Sequence, residues 1–506
     1  MKTPAYAHPP LDPIQPLRAG ARLGLELEMV VANRSSGQSH PVQAYFQTLA
    51  ALRQARDEPS TPLVLDGRLV GIEGAQGESG LDNGFNLLET AFAPIDGERA
   101  GLQGIHDEIA QELADAQTAL AQEDAQIINA AQHPDCPLDD AWYARVRAPR
   151  PIYTELVGHR GWRHQLGIDA KAQNSPCTAV GVADAARALN AILALAPASI
   201  ALFANSPLEQ GRVTGLKETR LSLWPRMFGG TRFPGDFMLQ QLPARPFNDL
   251  GDYFRWMFGP GTATRSLPLA WHQGYKSAAR VYLKDDPPLA TFLNAATWST
   301  RSEKGPTATL TPHSAHFEYA QFAHFLDARW RYRLDSLPEL PVLLQAWNEE
   351  GGLEALFARH GVDGYIEGRG PGANFADPDL MAQAGETICA SVAVSPSAIQ
   401  LGLMRNLNAA LDLVGDWGWS TLADLRMPAI THALAHDGVH ALAKEVLAVA
   451  AAGLAPQDAA WLAYPDYALC TRQTGADRLL DLWQAHDATP AKRLAHIGER
   501  RRALAM

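Results

Sequence analysis

Between Arg22 and Val30 every second residue is apolar: Leu23, Leu25, Leu27 and Met29 alternate with Arg22, Gly24, Glu26 and Glu28. A period of two predicts a β-strand with one face in a core. The pattern then predicts a helix over about residues 42–56, short strands at 63–65 and 69–72, and a turn at Asp82-Asn83-Gly84. Residues 86–93 read as a strand carrying Glu89, and 97–122 as a long amphipathic helix with Ile105, Ile109 and Leu113 at helical spacing. Residues 177–182 read as a strand feeding a helix that opens at Ala183-Asp184. Further on, Tyr365, Glu367 and Arg369 share a strand face opposite Ile366. From about Leu380 the chain is rich in Ala and Leu and mostly helical. Strands before about residue 370 and helices after it predict an α+β fold, with an antiparallel sheet and a helical layer.

With 506 residues, 46% of them hydrophobic and 19% charged, the chain has ordinary globular composition and ample length for a large core. The net charge of −12 leaves no bulk attraction for nucleic acid or an anionic membrane. An anionic ligand therefore needs a local basic pocket or bound metal ions. Cys136, Cys177, Cys389 and Cys470 show neither CxxC nor His-paired zinc spacing, which predicts reduced thiols. The first residues lack an apolar leader core, so a cytoplasmic location is expected. The uncharged run 188–208 is interrupted by Pro197, Ser199, Asn205, Ser206 and Pro207 and predicts a buried helix rather than a membrane span. Partners are expected to be small molecules, with no nucleic acid and no membrane.

Composition does not name the chemistry, but the polar strand faces narrow it. Glu26 and Glu28 stand side by side at i and i+2. Like charges held that close raise each other's pKa unless a cation lies between them. Mg²⁺ supplies such a cation and takes one or two carboxylates plus substrate phosphates. A solvated face of an ordinary sheet gives the same pattern, and Glu367 with Arg369 gives the pattern of a surface ion pair.

Three more segments turn the opening pair into something specific: Asn86-Leu87-Leu88-Glu89-Thr90-Ala91-Phe92-Ala93-Pro94, Ala201-Leu202-Phe203-Ala204-Asn205-Ser206-Pro207 with Gly215 and Arg220, and Tyr365-Ile366-Glu367-Gly368-Arg369-Gly370. Together with Gly24, Glu26 and Glu28 the ordered set resembles the glutamate–cysteine ligase family, in its plant and proteobacterial branch. The Ala-Leu-Phe-Ala-Asn-Ser-Pro string matches fully. Of the family's Glu-Leu-Ser-Gly-Ala-Pro, only Glu89, Ala93 and Pro94 agree. Where relatives carry Gln, Asn or His on the strand before the long helix, this chain has Cys177-Thr178-Ala179-Val180-Gly181. The segment 309–360 is also longer and different.

The resemblance implies a glutamine-synthetase-like catalytic fold, a curved antiparallel sheet covered by helices with a funnel-shaped site. It divides the chain into an antiparallel-sheet core with helical insertions over 1–375 and a mainly helical region over 376–506 packed on it. It implies an ATP-dependent carboxylate–amine ligase working through an acyl phosphate, most simply glutamate–cysteine ligase, with the same chemistry on another amino acid and amine as the alternative. A carboxylate-pair glycoside hydrolase and an inactive ligase-like binding protein are more remote. ATP and Mg²⁺ (or Mn²⁺) are the implied cofactors. Glu26, Glu28, Glu89 and Glu367 are the implied metal ligands, Arg369 and Glu367 the catalytic pair, and Arg220 and Asn205 the substrate-binding residues.

Several features carry plainer readings. Gly211 to Lys217 lacks GxxxxGK[ST] and is no P-loop, and 368–372 reads as a strand exit. His313, His316 and His324 read as helical surface histidines. Trp330 among Arg329, Arg331 and Arg333 reads as an amphipathic helix face rather than a base-stacking residue. Cys177 reads as inert core, and Arg500, Arg501 and Arg502 as a solvated helix end.

Overall fold

The structure, a computed structural model, describes residues 18–262, 267–268, 280–301, 308–319, 327–485 and 489–506. A ten-stranded antiparallel sheet organises these residues. Its strands are β1 (Arg22–Asn33), β2 (Thr61–Leu65), β3 (Arg68–Gly74), β4 (Gly77–Leu81), β5 (Leu87–Phe92), β6 (Ile95–Asp96), β7 (Ala125–Ile128), β8 (Asn174–Ala179), β9 (Ala328–Leu334) and β10 (Val362–Gly368). The order across the sheet is β9-β10-β8-β1-β5-β4-β3-β2, with β6 and β7 pairing the two ends of β1. The alternation read from the sequence is realised: Leu23, Leu25, Leu27 and Met29 are buried on one face.

Helices cover that apolar face. They are α1 (Tyr45–Gln54), α2 (Gly101–Ala121), α3 (Ala185–Leu202), α4 (Ser395–Arg405) and α5 (Asp437–Gly453). α2 packs on β1 and β7, α3 on β9 and β10, α4 on β8, and α5 on α3 and α4. α3 is long and apolar enough to cross a membrane, yet nearly all of it is buried between sheet and helices. The α+β architecture expected from the sequence holds, with helices throughout 378–500.

Two polar clamps fix which way the sheet faces. On α2, Glu112 accepts from the Thr90 hydroxyl at 2.6 Å and from Arg53 at 2.6 Å. Thr90 thus points to the helical side, which turns its neighbour Glu89 to the opposite face. On α4, the Gln400 amide donates at 3.0 Å to the carbonyls of Pro176 and Ile366 and to the Thr178 hydroxyl, tying β8 to β10 from beneath. A Cβ at position 368 would stand 2.3 Å from the Gln400 side-chain oxygen, so glycine is what lets that amide fit.

Three local readings change. Residues 328–334 form a strand and not a helix face, because Arg329-Trp330-Arg331-Tyr332-Arg333 alternates with period two. Trp330 and Tyr332 are buried and stack at 4.6 Å on the helical side, with Phe357 beyond, so Trp330 takes no nucleobase. His316 is buried, and burial pushes its imidazole down to about 4; His313 is exposed and His324 lies outside the described residues. Arg501 is fully buried and pairs with Asp377 at 3.1 Å, which makes the 500–502 run a tether rather than a solvated end.

Candidate active site

Strand register carries the acidic residues to the open face. β1 and β5 set Glu28 directly opposite Glu89, and β1 and β8 set Glu26 opposite Ser175 and Gly24 opposite Cys177. β8 and β10 align Cys177 with Glu367, and β10 and β9 align Glu367 with Arg329 and Tyr365 with Arg331. Because side chains alternate, Glu26, Glu28, Glu89, Cys177, Glu367, Arg329 and Arg331 all belong to the face that the helices leave open.

A cavity of about 820 Å³ opens there. Its ionic lining comprises Glu26, Glu28, Asp82 and Glu89 together with Lys171, Arg150, Arg329, Arg331 and Arg369. The rest is aromatic and apolar, formed by Ile152, Tyr153, Leu156, Trp162, His164, Ile168 and Trp224.

The three carboxylates of Glu28, Asp82 and Glu89 offer oxygens that all lie within 4.8 Å of one another. Burial pushes the Glu28 carboxyl up to about 8; Lys171 pulls it down, while Asp82 and Glu89 push it further up. The Lys171 ammonium, itself buried, sits 3.0 Å from Asp82 and 3.5 Å from Glu28. Glu28 also accepts from the Gln173 backbone N–H at 3.0 Å. This donor set fits a hard divalent ion: it is all carboxylate oxygen and closely grouped.

Glu367 has a different environment. It is fully buried, accepting from Arg329 at 2.7 Å through one oxygen and from Arg369 at 2.6 Å through the other. Burial alone would raise its carboxyl, but Arg329, Arg369 and Arg331 outweigh burial and hold it down to about 2. Both oxygens of the expected metal ligand Glu367 therefore serve guanidiniums, and Asp82 takes the third place in the carboxylate group. Asp82 carried only a turn signal in the sequence, and Lys171, Arg329 and Arg331 carried no motif at all.

The two expected substrate-binding residues stand elsewhere. Arg220 is fully buried and donates to Glu218 at 2.7 Å, Gln173 at 3.0 Å and the Gly370 carbonyl at 2.8 Å. Asn205 is equally buried; it donates to Asn129 and to the Ala373 carbonyl, both at 2.8 Å, and accepts from Arg501 at 2.6 Å. Neither is among the residues lining the main cavity; both fasten the interior behind the β10 exit.

Cys177 is also not in the apolar core. It lines a second cavity of about 590 Å³ with Gly24, Glu26, Phe92 and Tyr365, and an Arg22–Asp363 ion pair flanks it. Burial, reinforced by Glu26 and Glu367, pushes the Cys177 thiol well up, which keeps it unreactive. Glu26 lines both cavities.

Comparison with known proteins fits this arrangement. Residues 22–249, from β1 through β8 and α3, match the family model described as glutamate-cysteine ligase family 2. That stretch is similar to glutamate-cysteine ligase family 2. That region contains Glu26, Glu28, Asp82, Glu89, Lys171 and Arg220, so the resemblance read from the motifs holds over the half of the site built by β1, β5 and β8. No curated protein matches in sequence. Among solved structures, the chain is similar to glutamate–cysteine ligase from Francisella tularensis in complex with AMP, at 12% identity and a TM-score of 0.45, over 96% of this chain and 89% of that one. It is also similar to a bifunctional glutathione synthetase from Pasteurella multocida, at 12% identity and a TM-score of 0.44, over 94% of this chain and 50% of that one. The family-2 similarity over residues 22–249 supports a glutamate–cysteine ligase-like ligase.

Proposed function

We propose that the main cavity joins a carboxylic acid to an amine at the expense of ATP, through an acyl phosphate, with glutamate and cysteine as the first pair to test. The observation that carries this reading is that three grouped carboxylates and Arg329, Arg331 and Arg369 line one cavity, on a sheet whose β1–β8 part is similar to family 2. Phosphoryl transfer asks a protein mainly for positioning and charge stabilisation, and this wall offers both signs of charge at once.

In the first step a carboxylate oxygen of the acid attacks the γ-phosphorus, the bond to the bridging oxygen breaks, and ADP leaves. In the second, the amine nitrogen attacks the acyl carbon; phosphate departs with the former carboxylate oxygen, and the amine gives up a proton. Glu28, Asp82 and Glu89, with Glu26 beside them, would hold Mg²⁺, which when bound neutralises phosphate charge. Arg329 and Arg369, locked in place by Glu367, present fixed guanidiniums to the transferring phosphoryl group.

The test is release of phosphate from ATP with amino acids and amines supplied singly and in pairs. The reading expects release that needs an acid, an amine and Mg²⁺ together. No release with any pair, or hydrolysis of a glycoside instead, would reject it.

A further inference from the structure

His164 is buried to 1% exposure where it lines the aromatic part of the main cavity. Its Nδ1 lies 2.8 Å from the Tyr143 hydroxyl, and its Nε2 has no hydrogen-bond partner. Burial pushes the imidazole down to about 3, so the ring is neutral, with one donor nitrogen and one acceptor. Burial also raises the Tyr143 phenol, which keeps its proton. A phenol O–H is the better donor and an imidazole nitrogen the better acceptor, so we assign Tyr143 as donor to Nδ1, which leaves the ring hydrogen on Nε2. A buried N–H without an acceptor is costly, and a cavity-lining one marks where a ligand's acceptor belongs.

The surroundings define the rest of that ligand. Tyr153 and Trp162 stand against the His164 ring at 5.4 and 6.1 Å between centroids. Their polar tips are committed to the protein: Trp162 donates to Asp236 at 2.7 Å and Tyr153 to Asn83 at 2.9 Å. Trp224, Ile152, Leu156 and Ile168 add apolar surface. Ring faces and one directional donor thus confront the cavity around His164, with Lys171 beside Trp224 at 5.7 Å from its ring centroid.

We propose that this part of the cavity is a binding pocket for a planar heteroaromatic ring bearing a hydrogen-bond acceptor, read by the Nε2–H of His164. Two sources present that chemistry: the adenine of a nucleotide, and the ring of an imidazole-bearing amino acid or amine that serves as substrate. The inference rests on taking this cavity as the ligase site, but its test reads binding alone.

Isothermal titration of the full chain with AMP in one arm and with histidine or histamine in the other separates the two sources. One arm is expected to bind and to weaken about five- to tenfold in His164→Phe, the loss typical of one hydrogen bond. Tripolyphosphate, which has no ring, should bind both proteins alike. Tyr143→Phe removes the group that fixes the tautomer and should weaken the same arm by a smaller factor, which keeps the test available if His164→Phe does not fold. Unchanged affinity in both variants, or binding of neither AMP nor the imidazole compounds, would overturn the proposal. Failure of phosphate release with every substrate pair would remove the ligase reading and leave this result standing.

Discussion

The Lys171 ammonium lies 3.5 Å from a carboxylate oxygen of Glu28, and both side chains are buried. With Asp82 at 3.0 Å, Lys171 is a resident positive charge inside the carboxylate group. Removing one partner of a buried ion pair costs about 3–5 kcal/mol because the other is left uncompensated. Lys171→Met should therefore lower the melting temperature in EDTA, and Mg²⁺ should restore more of it than it adds to the unsubstituted protein. Melting curves with and without Mg²⁺ check this. An equal Mg²⁺ shift in both proteins would contradict it.

The raised Glu28 carboxyl has a pH signature. Its folded value of about 8 exceeds the ordinary 4.5, so between these values the folded state holds more protons than the unfolded one. Stability from this group falls as pH rises across that window. Glu28→Gln should flatten the decline in metal-free melting temperature between about pH 5 and 8. Divalent ions bind the ionised form, so Mg²⁺ binding at neutral pH should release a proton, seen by titration in buffers of different ionisation heat, and Glu28→Gln should abolish that release. Glu367 works the other way. Held down to about 2, it contributes stability that is present above about pH 4.5 and lost as pH falls toward 2.

Arg220 is expected to matter for folding and not for substrate affinity. Its three hydrogen-bonding groups face Glu218, Gln173 and the Gly370 carbonyl. Arg220→Lys cannot reproduce that fork. Denaturant unfolding should show a loss of about 1.5–3 kcal/mol, the range for one charge-assisted hydrogen bond. The KM for the acid should stay within twofold; a tenfold rise with stability unchanged would return Arg220 to the substrate site.

Much of the fold and part of this site were legible in the chain. The strict alternation of β1 announced both the core face and the carboxylate face. The motif around Glu89 placed a second strand beside it, and the run of Ala and Leu foretold the helical end. Arg369 stood next to Glu367 in sequence and remains next to it in space. What could not be read depended on register between distant strands. Arg329 meets Glu367 only because β9 pairs β10, and Lys171 meets Glu28 and Asp82 only because the chain entering β8 passes β1 and the β4–β5 turn. The alternation in Arg329-Trp330-Arg331-Tyr332 was a strand signal on its face, missed because the surrounding segment suggested a helix. That Arg220 and Asn205 are buried away from this cavity could not be read either, because a motif match carries no information on which way a side chain points.

Arg369 tests the basic half of the site. It lines the cavity, is nearly buried, and is fixed by Glu367 at 2.6 Å. Removing a donor aimed at developing charge typically costs about 10²–10³ in rate. Arg369→Ala should lower the rate of phosphate release by roughly that factor, and should leave the stoichiometry of Mn²⁺ binding unchanged. Loss of Mn²⁺ binding with turnover intact would assign the residue to the wrong half.

The most direct measurement follows one oxygen atom. An acid substrate labelled with ¹⁸O in its carboxylate, supplied with ATP, Mg²⁺ and the amine, should pass one label into the released inorganic phosphate, because that oxygen bridges carbon and phosphorus in the acyl phosphate. Unlabelled phosphate formed in step with the amide, or release of pyrophosphate and AMP instead, would contradict an acyl-phosphate ligase at this cavity.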